Sequence, residues 1–349
     1  MCQNLLRPIC AFILPSLCAF TLNAQFSGPE SVEYDQAMDR YYVSNTTSHV
    51  ILVLNTDLTT TPFASGLVNG PHGLELKGDT LFACSGGRIK GYLTSTGAEV
   101  FNLNLSASFL NGLTTDGTLL YATDFSAKRI YSIDPAANTF STLVANTVFT
   151  PNGIVYDPLE DRLVVVAWGS NAPITEVDKV TGAMTNLINS GLTNLDGITI
   201  DCMGAFLVSS WSPARITRYM PDFSSAATVV SAGLSSPADI DWDPVNEKVC
   251  IPNSGNNTVL LAPLSCTSGV ADNRAMPVVR AIPDPTPGPV RLSLQMERPE
   301  PFVVVDMRGT IAASGTLPPS GQLDISSLRP GPYVIHLTHL GVKVRVVKE

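Results

Sequence analysis

The sequence predicts an all-β chain: a six-bladed β-propeller followed by a small C-terminal β-sandwich. Three observations predict it. First, a short phrase recurs six times, as PESV (29–32), PHGL (71–74), LNGL (110–113), PNGI (151–154), LDGI (195–198) and PADI (237–240); a period of about 42 residues marks a repeat architecture. Second, each phrase leads into a short apolar strand, and helical periodicity is nearly absent. Third, proline and charge content rise after Cys266, and short β-branched runs continue to the C-terminus.

The fourth repeat shows the unit. Gly153–Tyr156 reads as a strand, and Asp157-Pro158 as a turn, because Asp caps its own backbone and Pro fixes φ. Arg162–Ala167, Ile174–Asp178 and Met184–Asn189 supply three more strands. Four short antiparallel strands per repeat match a propeller blade. The other repeats give second strands at Arg40–Ser44, Thr80–Ala83, Leu119–Thr123, Ala205–Ser209 and Lys248–Pro252. Third strands follow at Val50–Asn55, Arg88–Tyr92, Arg129–Ile133, Arg215–Tyr219 and Thr258–Ala262. An Asp ends the first strand in five repeats (Asp35, Asp116, Asp157, Asp201, Asp243), which marks it as a turn cap. The sixth repeat ends near Leu264 with no evident fourth strand, and Gln25-Phe26-Ser27 is all that the expected mature N-terminus offers in its place.

Residues 1–24 read as an export signal: Arg7, an apolar stretch from Ile9 to Leu22, and a small residue, Ala24, before the expected cleavage point. No lipobox fits, since Leu17 precedes Cys18, and no other segment has the length of a membrane span. The expected organisation is signal peptide 1–24, propeller 25–266, linker 267–282 and sandwich 283–349. Cys2, Cys10 and Cys18 leave with the signal. Cys84, Cys202, Cys250 and Cys266 then allow three disulfide pairings, and none of their spacings is that of a zinc site. At 44% hydrophobic and 15% charged residues the chain folds rather than staying disordered. Its net charge of −9 argues against nucleic acid or an anionic membrane surface as partner.

In a propeller the innermost strands line a central channel, and the residue entering each of them stands at one mouth. That register reads Glu30, His72, Asn111, Asn152, Asp196 and Ala238. Oxygen donors converging in this way suit a hard cation such as Ca²⁺, which relieves the repulsion of two carboxylates. The plainer reading is that Asn-Gly and Asp-Gly are turn dipeptides that shape the strand entry, and that His72 is a satisfied polar histidine. Loops at the same face carry Asn45, Asp124, Trp168, Trp211 and Asn253. The two indoles suit a sugar ring or a lactone as well as they suit inter-blade packing. Arg88 and Arg215 begin third strands near that rim, placed either for an anionic substrate or for a salt bridge.

Two resemblances extend this reading. GPESVEYDQAMDRYYVSN, TPNGIVYDPLEDRLVVV and LDGITIDCMGAFLVSSW resemble the senescence marker protein/gluconolactonase/luciferin-regenerating-enzyme group within the NHL-type six-bladed propellers. That resemblance implies one divalent cation on the channel axis, Ca²⁺ first and Zn²⁺, Mg²⁺ or Mn²⁺ next, held by Glu30, Asn152 and Asp196. It implies hydrolysis of a sugar lactone or similar ester, with Asp196 as ligand or base and Asn111 at a substrate- or metal-contacting position. His72, Trp168 and Trp211 complete the expected substrate contacts. The PES setting of Glu30 departs from the family pattern. The C-terminal runs VVVDMRGTIAASG, LDISSLRPGPYVIHL and VKVRVVK resemble the sorting domain of type IX secretion cargo. This implies export through a Gram-negative periplasm to the cell surface or medium, with the type IX machinery as partner; an ordinary adhesive sandwich is the plainer reading. The expected function is a secreted metal-binding, lactonase-like hydrolase. The alternative is a non-catalytic propeller that captures a glycan, peptide or protein, and a strictosidine-synthase-like carbon–nitrogen-bond enzyme ranks third. No Ser-His-Asp or GxSxG pattern supports a serine hydrolase.

Overall fold

The computed structural model describes residues 21–22, 26–223, 227–265, 279, 281–294, 299–306, 310–337 and 342–349. Most of the expected signal, Cys266, most of the expected linker and Met307-Arg308-Gly309 of the sorting motif lie outside the described residues. The chain divides after Thr267 into two compact units.

The first unit is built from six four-stranded antiparallel sheets, blades 1–6 in chain order. Their first strands are Pro29–Asp35, Leu74–Lys77, Leu110–Thr115, Thr150–Asp157, Thr193–Ile200 and Asp241–Asp243. Each first strand packs against that of the next blade, and that of blade 6 returns to that of blade 1. Closure is made by the backbone: the Asp239 amide donates to the Glu30 carbonyl at 2.8 Å, and the Val32 amide to the Asp239 carbonyl at 3.3 Å. Blades 1–5 take four consecutive strands each. Blade 6 takes Asp241–Asp243, Lys248–Asn253 and Thr258–Pro263, and its outer strand is Thr21–Leu22, with Thr21 opposite Leu260 and Leu22 opposite Val259. That closing pair falls inside the segment expected as export signal. Phe26, by contrast, is buried among Val32, Tyr34, Val43 and Leu54.

Apolar residues at one register of the inner strands fill the space between blades. Val32, Leu74, Leu113, Ile154, Ile198 and Ile240 are all buried, each worth about 1.5–3 kcal/mol. The terminal aspartates cap turns as expected: Asp157 accepts from the Leu159 amide, and Asp243 from the Val245 and Asn246 amides. Arg40, Arg162, Lys179 and Arg218 pair with four of these aspartates.

The second unit packs a three-stranded sheet (Ala281–Ile282, Pro289–Leu292, Gln322–Asp324) and a four-stranded sheet around one core that includes Val290, Leu292, Val304, Ile335 and Val346. The four-stranded sheet has the order Ile311–Leu317, Glu300–Asp306, Gly331–Leu337, Val342–Lys348. Ala281–Ile282 extends the first sheet into the expected linker. Cys202 is disulfide-bonded, whereas Cys84 and Cys250 are free and buried. No helix among the described residues is long and apolar enough to cross a membrane.

Candidate functional site

The mouth register is positioned by a repeated backbone irregularity. In blades 1, 3, 4 and 5 the pairing of first and second strands slips between Pro29 and Val32, Leu110 and Leu113, Pro151 and Ile154, and Leu195 and Ile198. Glu30, Asn111, Asn152 and Asp196 each sit in such a bulge, a device that re-aims side chains. The glycine that follows in blades 3–5 serves close approach. A Cβ on Gly112 or Gly153 would lie 2.5 Å from the carbonyl oxygen of Asn152 or Asp196, and one on Gly197 would lie 2.5 Å from the Ile240 nitrogen. None of the three glycines has positive φ. The turn-dipeptide reading of Asn-Gly and Asp-Gly is therefore corrected: these pairs lie within strands, and the next blade, not a turn, demands the glycine.

Asn111, Asn152 and Asp196 are 6%, 2% and 3% exposed, so their polar atoms need partners. Asn111 Nδ2 donates to Asn152 Oδ1 at 2.5 Å, and Asn152 Nδ2 donates to the Leu195 carbonyl at 3.1 Å. The carboxyl of Asp196 is pushed well above the usual range by burial and then by the charge of Glu30, partly offset by hydrogen bonds with Trp211 and Asn152. Glu30 is pushed up to about 7 by burial and by the charge of Asp239. The structure thus links Asn111, Asn152, Asp196 and Glu30 in one continuous cluster. Ala238 is buried and adds no polar atom.

Sequence reasoning missed Asp239, which follows the mouth register in blade 6 where blades 2–5 carry glycine. Burial raises it to about 8 against a 2.8 Å hydrogen bond from Ser31 Oγ, with the charges of Asp196 and Asp241 adding to the rise. A second acidic tier was also missed. Three residues beyond the mouth register the first strands carry Glu33, Glu75, Thr114, Val155, Thr199 and Asp241, which line a channel cavity of about 50 Å³. Glu33 and Glu75 are raised well above the carboxylate range, by burial first and then by the charge of Asp241. Asp241 is raised to about 6 by burial, against hydrogen bonds from the Tyr34 and Trp242 amides and from Thr199. The repeat alignment carried this signal, read three positions further along.

His72 stands apart from the amide–carboxylate cluster. Burial pushes its imidazole down to about 4, and Nδ1 has no hydrogen-bond partner among the described residues. Its ring meets Phe109 edge-on at 4.6 Å. An edge-to-face series continues through Phe125 and Trp168 to Trp211, the two indoles 4.8 Å apart at 79°. Asn45, Asp124 and Asn253 are structural: they accept from the amides of Ser27, of Ser108 and Phe109, and of Ser235. Arg88 Nε donates to Asn102 and Arg215 Nε to Thr217.

Fold and mouth together define a β-propeller whose channel opens on a ring of carboxylates and carboxamides beside an aromatic wall. Known structures share that fold. A gluconolactonase-like protein superposes with a TM-score of 0.57 at 17% identity, covering 71% of this chain and 93% of its own. An auxiliary nutrient-binding protein from Bacteroides thetaiotaomicron gives 0.56 at 12%, covering 68% and 69%. Virginiamycin B lyase from Staphylococcus aureus gives 0.51 at 16%, covering 71% and 89%. At these identities the likeness shows the fold alone. No protein-family model and no curated protein sequence matches the chain.

Proposed function

We propose that the protein is a secreted, metal-binding propeller that hydrolyses a small cyclic ester. The observation that carries this reading is the convergence of Glu30 and Asp196 with the amides of Asn111 and Asn152 on four in-strand bulges. The donor set fits a hard cation. It is all oxygen, and the charges that act on Glu30, Asp196 and Asp239 come from other carboxylates. Among the described residues no three His, Cys, Asp or Glu side chains form a metal-ligating group, so a cation here needs an amide as well as the two carboxylates. Glu30, Asn152 and Asp196 would hold it. When bound, such a cation supplies carbonyl polarisation and a lowered pKa for water.

The remaining work falls to the chain itself. Asn111 fixes the orientation of Asn152 through its 2.5 Å hydrogen bond. Asp196, held by Asn152 and Trp211, is placed to take a proton from water at its carboxylate. Trp168 and Trp211 wall the mouth and keep bulk water from one side of the ligand. A lactone panel assayed with and without EDTA tests this reading. Turnover lost in Asp196→Ala, in Glu30→Ala and in chelator supports it. A protein free of metal and indifferent to chelator, with no turnover, leaves the binding alternative, which the half-exposed aromatic wall favours.

For export, we propose that residues 1–24 direct secretion, their removal after Ala24 leaving blade 6 without the Thr21–Leu22 strand, and that the C-terminal unit is the type IX sorting domain. Support comes from the motif order in the sequence and the compact two-sheet core of that unit. Deleting residues 283–349 should hold the propeller in the periplasm; normal secretion of the truncated chain contradicts the assignment.

A further inference from the structure

Beside the mouth, over blades 1–3, lies a groove of about 620 Å³, a size typical of small-molecule sites. Its wall includes Asn69, His72, Ser108 and Phe109, and Gly86 and Gly87 keep its floor free of side chains. No Asp, Glu, Lys or Arg lines it. Burial also lowers the pKa of His72, which favours its neutral imidazole. A second imidazole, His49, also lines it, with Nδ1 2.9 Å from the Gly70 carbonyl; the groove thus carries no carboxylate, ammonium or guanidinium, although it adjoins an acidic channel. His72 occupies the same repeat register as Glu30 and Asn111, so the inner end of the groove meets the mouth. Its Nδ1 has no partner among the described residues, while the Phe109 ring beside it offers apolar surface.

These features select a ligand chemistry by elimination. An anion finds no lysine or arginine here, and a cation finds no carboxylate. An aliphatic chain would cover Asn69, Ser108 and His72 Nδ1 without satisfying them, which is costly. A neutral, hydroxyl-rich ligand satisfies the polar atoms and sets its C–H faces on Phe109. We infer that this groove binds an uncharged saccharide portion of the ligand whose reacting group occupies the mouth. The inference rests on the proposed reading of the mouth as the ligand site, and it assigns His72 to the groove, apart from the cation ligands.

The test uses the full-length protein, its His72→Ala variant and its Asn69→Gly variant. The glycine suits the left-handed backbone of Asn69 (φ 57°), so that variant keeps the local fold. Calorimetry is run with neutral trisaccharides of glucose, mannose, galactose and N-acetylglucosamine, and with a trigalacturonate as the charged control. D-Glucono-1,5-lactone hydrolysis is followed in parallel. At least one neutral trisaccharide should bind, and each substitution should weaken it by about ten-fold. Binding of no neutral trisaccharide, binding unchanged in both variants, or equal affinity for trigalacturonate overturns the inference. Saccharide binding that is lost in His72→Ala, in a protein without lactone turnover, upholds the groove and removes only the hydrolase reading.

Discussion

Glu75 offers the cleanest perturbation of the acidic channel. Its carboxyl is held well above the usual range by burial and by the charges of Asp241 and Asp239. In the unfolded chain it ionises near 4.5; in the folded chain it keeps its proton to higher pH. The stability it contributes is therefore complete below about pH 4.5 and is lost as pH rises through the folded value. The slope is about 1.4 kcal/mol per pH unit for each proton retained on folding. Asp241 sets the scale for a neighbour: its rise from 3.8 to about 6 corresponds to about 3 kcal/mol before screening by channel water. Glu75→Gln mimics the protonated form at every pH. The variant should match wild type near pH 4 and gain on it by about 1.4 kcal/mol per unit above 4.5, while folded Glu75 stays protonated. The three tryptophans all lie in the propeller, so urea unfolding followed by tryptophan emission in chelator reports that unit alone. A variant that is less stable at pH 8, or a difference that does not change with pH, refutes the reasoning.

Three further outcomes follow from the same geometry. Gly153→Ala places a Cβ 2.5 Å from the Asp196 carbonyl oxygen and should cost about 3 kcal/mol or more by denaturant unfolding, against about 1 kcal/mol for Ile154→Val. Trp211→Phe keeps an aromatic ring but loses the indole N–H that bonds Asp196; calcium affinity by calorimetry should fall about three- to ten-fold, with the far-ultraviolet circular dichroism unchanged. Cys84 and Cys250 are buried, and burial pushes both thiols up; they should resist a thiol reagent in the native protein and react in denaturant.

The blades were legible because their strands obey local rules. β-branched runs such as Val164–Val166 and turn-capping aspartates such as Asp157 mark each strand and turn within a few residues. The closing strand was not legible, because two residues, Thr21–Leu22, carry no periodic signal and lie in an apolar segment that also reads as a leader. At the mouth, aligning repeats identified Glu30, Asn111, Asn152 and Asp196, since a register that varies in chemistry stands out against one that does not. Their position inside strands was hidden, because Asn-Gly spells a turn locally and only the neighbouring blade shows why the glycine is needed. Asp239 and the Glu33–Glu75–Asp241 tier needed that same alignment carried deeper, together with the in-strand bulges, which shift the two-residue alternation by one so that the position three along faces the channel. The partners of Trp211 and His72 depend on rotamers and loop paths, which no short-range pattern encodes.

The most direct measurement is the electron density at the channel mouth of crystals grown from chelator-stripped protein and soaked in Ca²⁺. The account predicts a peak about 2.3–2.6 Å from the carboxylates of Glu30 and Asp196 and the amide oxygen of Asn152, absent from crystals of Asp196→Ala. A mouth without such a peak, with Glu30 and Asp196 instead sharing a proton across a direct hydrogen bond, would contradict it.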